Sequence, residues 1–390
     1  MKLLKASLQL IIGVIFGLLL FEGILHANPR LLLRGMALPA PVDSPLQEQI
    51  YDVKSSDADL FYWYPELIRP VLSEDNKIEA RVNYFTDELG FPNQAPMSPT
   101  VDVIVLGRSY SMGAQATNPW PRMLADKYDL SVFNLSQTGS GIDTKYEYFS
   151  KFGLRRHPKW VIIEILPSMD IIGYVASQKT LVQSLPVPVI QQLIKRIRNT
   201  PAQAKNVEPI YPLRIHIPNR SIGLSFFSYY LAALTVDNIS LMESNQWRDY
   251  KRAITSLIDL AQMNDICVAL LYVPTKENIY FHLSENPYEL NPVLTGWLAW
   301  KLNDLHQLER DDKMLPDIDL MRKNVFAARD LVADFAKQRS IPLIDPTQVM
   351  LEAQNKGDEP FMVYDTHWSS VGHGLVADLV AQTLKNTDCR

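Results

Sequence analysis

Cysteine is nearly missing from this chain, with Cys267 in an apolar strand-like run and Cys389 beside the last residue making two among 390. Two such positions give no disulfide framework, and the sequence reads as two unpaired thiols, the first buried and inert. Surplus positive charge is missing too. Lys and Arg number 38 against 43 Asp and Glu, for a net charge of -5, which argues against nucleic-acid binding because a phosphate-binding face is announced by excess Lys and Arg. His157, His216, His282 and His306 show no metal-ligand spacing, so neither a metal nor any other cofactor is expected. There is no internal repeat and no low-complexity segment. What is present is a chain 47% hydrophobic and 21% charged, able to bury a substantial core as one large domain or one domain with insertions.

The first 27 residues depart from that character. Leu10 to Phe21 carry no charged or polar side chain, Lys2 and Lys5 precede them, and Ala6 to Leu25 spans 20 residues, about one bilayer thickness. Residues 1–27 are read as a membrane anchor or a secretion signal, with a poor cleavage site at Leu25-His26-Ala27. Either reading sends the body of the chain across the cytoplasmic membrane. The expectation is an inner-membrane anchor with the main domain in the periplasm or outside the cell, or a secreted protein if the segment is cleaved. Residues 28–84, with Pro39, Pro41 and Pro45 and the aromatics around Phe61 to Tyr64, read as a linker and lead-in.

Residues 85–390 hold five apolar, β-rich runs: Val101 to Leu106, Leu130 to Leu135, Trp160 to Leu166, Ile266 to Val273, and Ile341 to Ile344. Between and after them, Tyr250, Ile254, Leu257 and Ala261 repeat at helical spacing, as do Val325, Ala328, Leu331, Val332 and Phe335, and then Val371, Leu375, Leu379 and Leu384. Ser369 or Ser370 would cap the last helix. Alternation of strands and helices predicts an α/β fold with a doubly wound, mainly parallel five-stranded sheet. Two intervals, about 172–245 and about 274–320, interrupt the alternation after the third and fourth strands. They are expected to sprout from the C-terminal edge of the sheet and form walls or a lid. Lys195, Arg196 and Arg198 in the first read as the solvated face of an amphipathic helix, or as a contact for an anionic glycan or lipid headgroups.

Two short segments some 250 residues apart carry the chemistry. Val105 to Gly113 reads Val-Leu-Gly-Arg-Ser-Tyr-Ser-Met-Gly, and Tyr364 to Trp368 reads Tyr-Asp-Thr-His-Trp. Ser109 would emerge at the C-terminal end of a buried strand, where open α/β sheets bind ligands. Asp365 and His367, two apart, share one face of extended chain. Asp365 would then orient the imidazole while its other nitrogen serves Ser109 as base. Ser111 is the alternative nucleophile if the strand runs two residues further.

These segments resemble the SGNH, or GDSL-type, hydrolases. The first block of that family matches Gly107-Arg108-Ser109, with Gly113 as a later glycine. The second matches Asn134 to Gly141, and the terminal Asp and His match Asp365 and His367, followed by Gly372-His373. Leu89-Gly90-Phe91 and Val273-Pro274-Thr275-Lys276-Glu277 look like stretches of membrane-tethered members. The resemblance implies a Ser109–His367–Asp365 triad with the amides of Ser109 and Gly139 as oxyanion donors. Three departures accompany it. Arg108 stands where the family has an acidic residue, and Met169 stands where it has an asparagine that donates to the oxyanion, which a thioether cannot do. Arg108 and Ser168 are possible auxiliary donors. The third departure is the Asp-to-His spacing of two where three is commoner, and the resulting Asp-Thr-His-Trp string is similar to SGNH-like proteins of alginate O-acetylation, although in those the Asp-His element precedes the serine. The implied function is an extracytoplasmic acyl-ester enzyme, an esterase or O-acyltransferase. Its expected partners are an acyl-ester substrate, with a cell-surface glycan as the candidate carrier, and the membrane through the N-terminal helix. The alternative is a non-catalytic binding or assembly protein of the cell envelope on the same scaffold.

Overall fold

The computed structural model describes residues 87, 91–93, 98–113, 116, 118–173, 210–217, 220–284, 318–363 and 365–389, the strand pair 49–54 and 78–84, and Gly13, Phe16, Gly17 and Leu20. Residues 1–44 with 177–207 cluster as one unit and residues 45–176 with 208–390 as a second. Apart from Gly13, Phe16, Gly17 and Leu20, the expected anchor lies outside the described residues, as does the Lys195 to Arg198 face. Among those described, no helix is long and apolar enough to cross a membrane.

The second unit opens with an antiparallel pair, β1 (Gln49–Lys54) and β2 (Ile78–Tyr84). All five apolar runs then become strands: β3 (Val103–Leu106), β4 (Val132–Asn134), β5 (Trp160–Ile165), β8 (Cys267–Tyr272) and β9 (Leu343–Ile344). Their order is β4-β3-β5-β8-β9, with every neighbour parallel. Every residue of β3 and of β5 is buried, as expected of strands covered on both faces. The chain crosses from β3 to β4 on one side and then to β5 on the other. The strand order therefore reverses at β3, and the crevice at its C-terminal end is where such sheets take ligands.

Short helix α1 (Ser109–Met112) leaves β3 directly, and α2 (Trp120–Tyr128) and α3 (Ile142–Tyr148) flank β4. Helix α4 (Asn245–Gln262) buries Trp247, Tyr250, Ile254, Leu257, Ile258 and Ala261, a stripe with the 3.6-residue period that placed it. The described part of the first interruption includes the antiparallel pair β6 (Ile210–Ile217) and β7 (Arg220–Phe227), with Ile215, Leu224 and Phe226 in the core, followed by short helices at Ser228–Ala233 and Asn238–Glu243. Helices α5 (Ala327–Gln338), α6 (Thr347–Asn355) and α7 (Ser370–Asn386) complete the chain.

Two expectations are corrected. Cys267 and Cys389 are joined in a disulfide across 122 residues, with their Cα atoms 5.8 Å apart. The pairing needs no second pair of cysteines, because folding lays the end of the chain against the start of β8. In α7 the helix is as expected, but its buried stripe is not. Gly372, His373, Val376, Ala377, Val380 and Ala381 face inward, whereas Val371 is exposed and Leu375, Leu379 and Leu384 pack only at the core margin. Close packing against α2 and against Pro360 and Trp368 of the preceding loop selects the small side chains rather than the leucines. Ser369 caps this helix, accepting from the amides of Val371 and Gly372.

Candidate active site

The turn after β3 is shaped by its glycines. A Cβ at Gly107 would lie 2.5 Å from Ser111 Cβ and 2.6 Å from Glu164 Oε2, so the backbone must be bare there. Gly113 has φ 67° and closes α1 with its amide on the Ser109 carbonyl, a left-handed cap that glycine adopts without strain. Between them Ser109 begins α1, half-buried. Ser111 is fully buried. Its hydroxyl takes a hydrogen bond from Trp120 Nε1 at 3.2 Å and donates to Glu164, so Ser111 is a tether and not the nucleophile. Glu164 also accepts from the amides of Arg108 and Ser111, each at 3.0 Å. The amides of Ser109 and Gly139 donate to nothing among the described residues. Gly139 is exposed in a turn with φ 77°. Asn134 ties this second block to the first by donating to the Ser111 carbonyl at 2.8 Å.

Asp365 and His367 come from the loop before α7, and both are at least 95% buried. Asp365 Oδ1 accepts from His367 Nδ1 at 2.6 Å and from the His367 amide at 2.7 Å. The pairing expected from a shared strand face is thus achieved by a turn in which one carboxylate holds both backbone and ring. It assigns the proton to Nδ1 and leaves Nε2 as the basic nitrogen. The His367 ring packs on Tyr110, neighbour of Ser109, with centroids 4.7 Å apart. The Tyr110 hydroxyl donates to the Thr366 carbonyl at 2.9 Å. Ser109 Oγ itself makes no hydrogen bond to His367 within the described residues, so the structure brings the two segments together without closing that contact.

Several residues that hold the site had no role read for them from the sequence, although Lys276 and Glu277 lie in the stretch Val273 to Glu277 that carried part of the resemblance. Lys276, fully buried, donates from Nζ to the carbonyls of Asp365 at 2.5 Å and Val363 at 3.2 Å, clamping the histidine loop. Glu277 beside it accepts from the Phe227 amide at 2.7 Å, and burial raises its carboxyl to about 7. Asp170 accepts from Arg108 Nε at 2.8 Å, Lys145 Nζ at 3.2 Å and the Leu166 amide at 2.9 Å. Burial works to raise the Asp170 carboxyl, but Arg108 and Lys145 outweigh it and hold it below the usual range. Burial pushes Lys145 down and Glu164 up. The available signal was Glu164, the one acidic residue in an otherwise apolar strand, since a buried charge is kept only with partners.

Met169 is half-buried, and the amides of Met169 and Asp170 are both spent on the Leu166 carbonyl, at 3.0 and 2.7 Å. Ser168 lines a cavity of about 20 Å³ with Tyr272, Asn278 and Asn324, whose lining includes neither Ser109 nor His367. His373, a helix residue as expected, accepts from the Trp120 amide at 3.3 Å, and burial followed by the nearby His367 lowers its ring to about 3.

With the terminal Asp-His pair and its helix in view, the comparison with known families is specific to that part. Residues 311–389 match the SGNH hydrolase-like domain of acetyltransferase AlgX. This similarity agrees with the Asp-Thr-His-Trp string, which lies within the matched residues. No curated protein matches the chain. Among solved structures, a G-D-S-L family protein from Desulfitobacterium hafniense DCB-2 is 14% identical, covering 73% of this chain and 99% of its own with a TM-score of 0.37. A GDSL-like lipase from Bacteroides thetaiotaomicron VPI-5482 is 13% identical, covering 75% and 93% with a TM-score of 0.35. A mutant acetyl-xylooligosaccharide esterase from Geobacillus Stearmophilus is 13% identical, covering 75% and 97% with a TM-score of 0.35.

Proposed function

We propose that this chain is a serine acyl-ester enzyme. The observation that carries the reading is the buried Asp365–His367 pair packed through Tyr110 against the turn that presents Ser109. Ser109 Oγ attacks the ester carbonyl and its proton passes to His367 Nε2, while Asp365 stabilises the imidazolium. The amides of Ser109 and Gly139 receive the oxyanion. Collapse expels the alcohol, which takes the proton back from His367. The acyl group then passes to water or to a sugar hydroxyl by the same base.

The preferred substrates are carbohydrate esters of the cell envelope. The reading rests on the similarity of residues 311–389 to an acetyltransferase domain and on the anchor or signal character of residues 1–27. The disulfide supports the location, because such bonds persist in oxidising compartments outside the cytoplasm. A second reading, a non-catalytic envelope binding protein, draws on Met169 and on the missing Ser109–His367 hydrogen bond.

A fluorophosphonate probe separates the two. Labelling of the full chain that disappears in Ser109→Ala supports the enzyme, and folded parent protein that takes no label favours the binder. Ester turnover by His367→Ala within a few fold of the parent would remove the proposed base.

A further inference from the structure

Resting on the serine-enzyme reading, we propose that Arg108 is a catalytic residue, its guanidinium donating to the oxyanion that forms when Ser109 is acylated. Three observations carry this. Arg108 is joined to Ser109 by one peptide bond, on the turn that the Glu164 carboxylate fixes through the amides of Arg108 and Ser111. Its side chain is 13% exposed and held from behind, Nε to Asp170 at 2.8 Å, while Asp170 is itself anchored by Lys145 and the Leu166 amide. Nε is the only guanidinium atom engaged among the described residues, so Nη1 and Nη2 are free to meet a ligand with the planar fork that suits an oxyanion.

Neighbouring groups leave this place to Arg108. The amides of Met169 and Asp170 are spent on Leu166, and Ser168 lines a cavity whose lining does not include Ser109. A thioether such as that of Met169 donates nothing. Burial tends to neutralise a guanidinium, but Asp170 more than offsets it and the group stays charged. No bond to Arg108 forms or breaks in the step. The carbonyl π pair moves to oxygen as Ser109 Oγ adds, and the new negative charge is met by Arg108 beside the Ser109 and Gly139 amides.

The test uses 4-nitrophenyl acetate hydrolysis by the full chain and its variants Ser109→Ala, Arg108→Gln and Arg108→Lys. Arg108→Gln is expected to lower kcat about 100- to 1,000-fold with KM within about threefold. Arg108→Lys keeps the charge but not the fork and is expected to recover part of the loss. Should Arg108→Gln fail to fold, Arg108→Lys carries the test, and a loss of kcat of about tenfold or more is then expected. Two outcomes overturn the proposal while leaving the serine mechanism intact. One is kcat within about threefold of the parent in a protein that Ser109→Ala inactivates, and the other is a raised KM at unchanged kcat, the mark of ground-state binding only. Turnover retained by Ser109→Ala overturns the serine mechanism itself, and Arg108 falls with it.

Discussion

Single side chains at this site are held by backbone as often as by other side chains. Lys276 binds two carbonyls of the histidine loop and Tyr110 binds a third, so the loop is pinned from both sides of the His367 ring. Removing the ammonium leaves those buried carbonyls short of a donor, at about 1–3 kcal/mol for each group so stranded. Lys276→Met is therefore expected to lower kcat by about tenfold or more, with a fall in the urea midpoint, while leaving the Ser109 turn able to take a phosphonate slowly. Gly372 is under a harder constraint, since a Cβ there would lie 2.2 Å from the Pro360 carbonyl oxygen and 2.9 Å from Trp368 Cβ. Gly372→Ala must push α7 off the loop that carries His367. A loss of about 1–3 kcal/mol in urea unfolding is expected, and an unchanged midpoint would show that the loop is softer than described.

At the scale of elements, α7 links fold to chemistry. Its N-cap at Ser369 follows the His367 loop directly, its small-residue face lies on the core, and Cys389 beyond its end is bonded to the first residue of β8. The cross-link closes a loop of 122 residues, and removing a native disulfide from a small domain typically costs about 2–5 kcal/mol. Cys389→Ser, or dithiothreitol on the parent, is expected to lower the urea midpoint by a corresponding amount. A midpoint indifferent to reductant would show that the bond does not form in solution.

For the whole molecule, two buried groups set opposing pH slopes. His373 titrates near 3 when folded against 6.5 when unfolded, so its contribution is full above 6.5 and is lost as pH falls towards 3, about 4–5 kcal/mol in all. Glu277 titrates near 7 when folded against 4.5 unfolded, so its contribution is full below 4.5 and is lost as pH rises through 7, about 3 kcal/mol. Between 4.5 and 6.5 the two slopes cancel. Relative to the parent, His373→Gln should make stability decline more steeply with pH across that window and Glu277→Gln should make it rise, with Glu164, also raised by burial, acting alike in all three proteins. Urea midpoints at the two ends of the window check both signs, and parallel curves for all three proteins would exclude these groups as the origin.

The sheet was legible in the residues because each strand is a continuous apolar run bounded by polar segments, the pattern of strands buried on both faces, and all five runs fell where expected. The turn that carries Ser109 and the pairing of Asp365 with His367 were legible because the glycines and the Asp-x-His spacing are local demands of turns. What sequence could not supply were contacts between distant segments. The Cys267–Cys389 bond, the Lys276 clamp and the Arg108–Asp170 pair each join residues 62 or more apart, and no local periodicity records which of many possible partners the packing will select. The inward face of α7 escaped for a related reason. Hydrophobicity favours its leucines, but only the closeness of α2 and of the loop carrying Pro360 and Trp368 shows that glycine and alanine fit. The chain alone therefore determined the layers and the candidate reacting groups. Tertiary packing decided what aims those groups, because burial makes an unpartnered charge costly and so fixes each one to whatever the fold brings beside it.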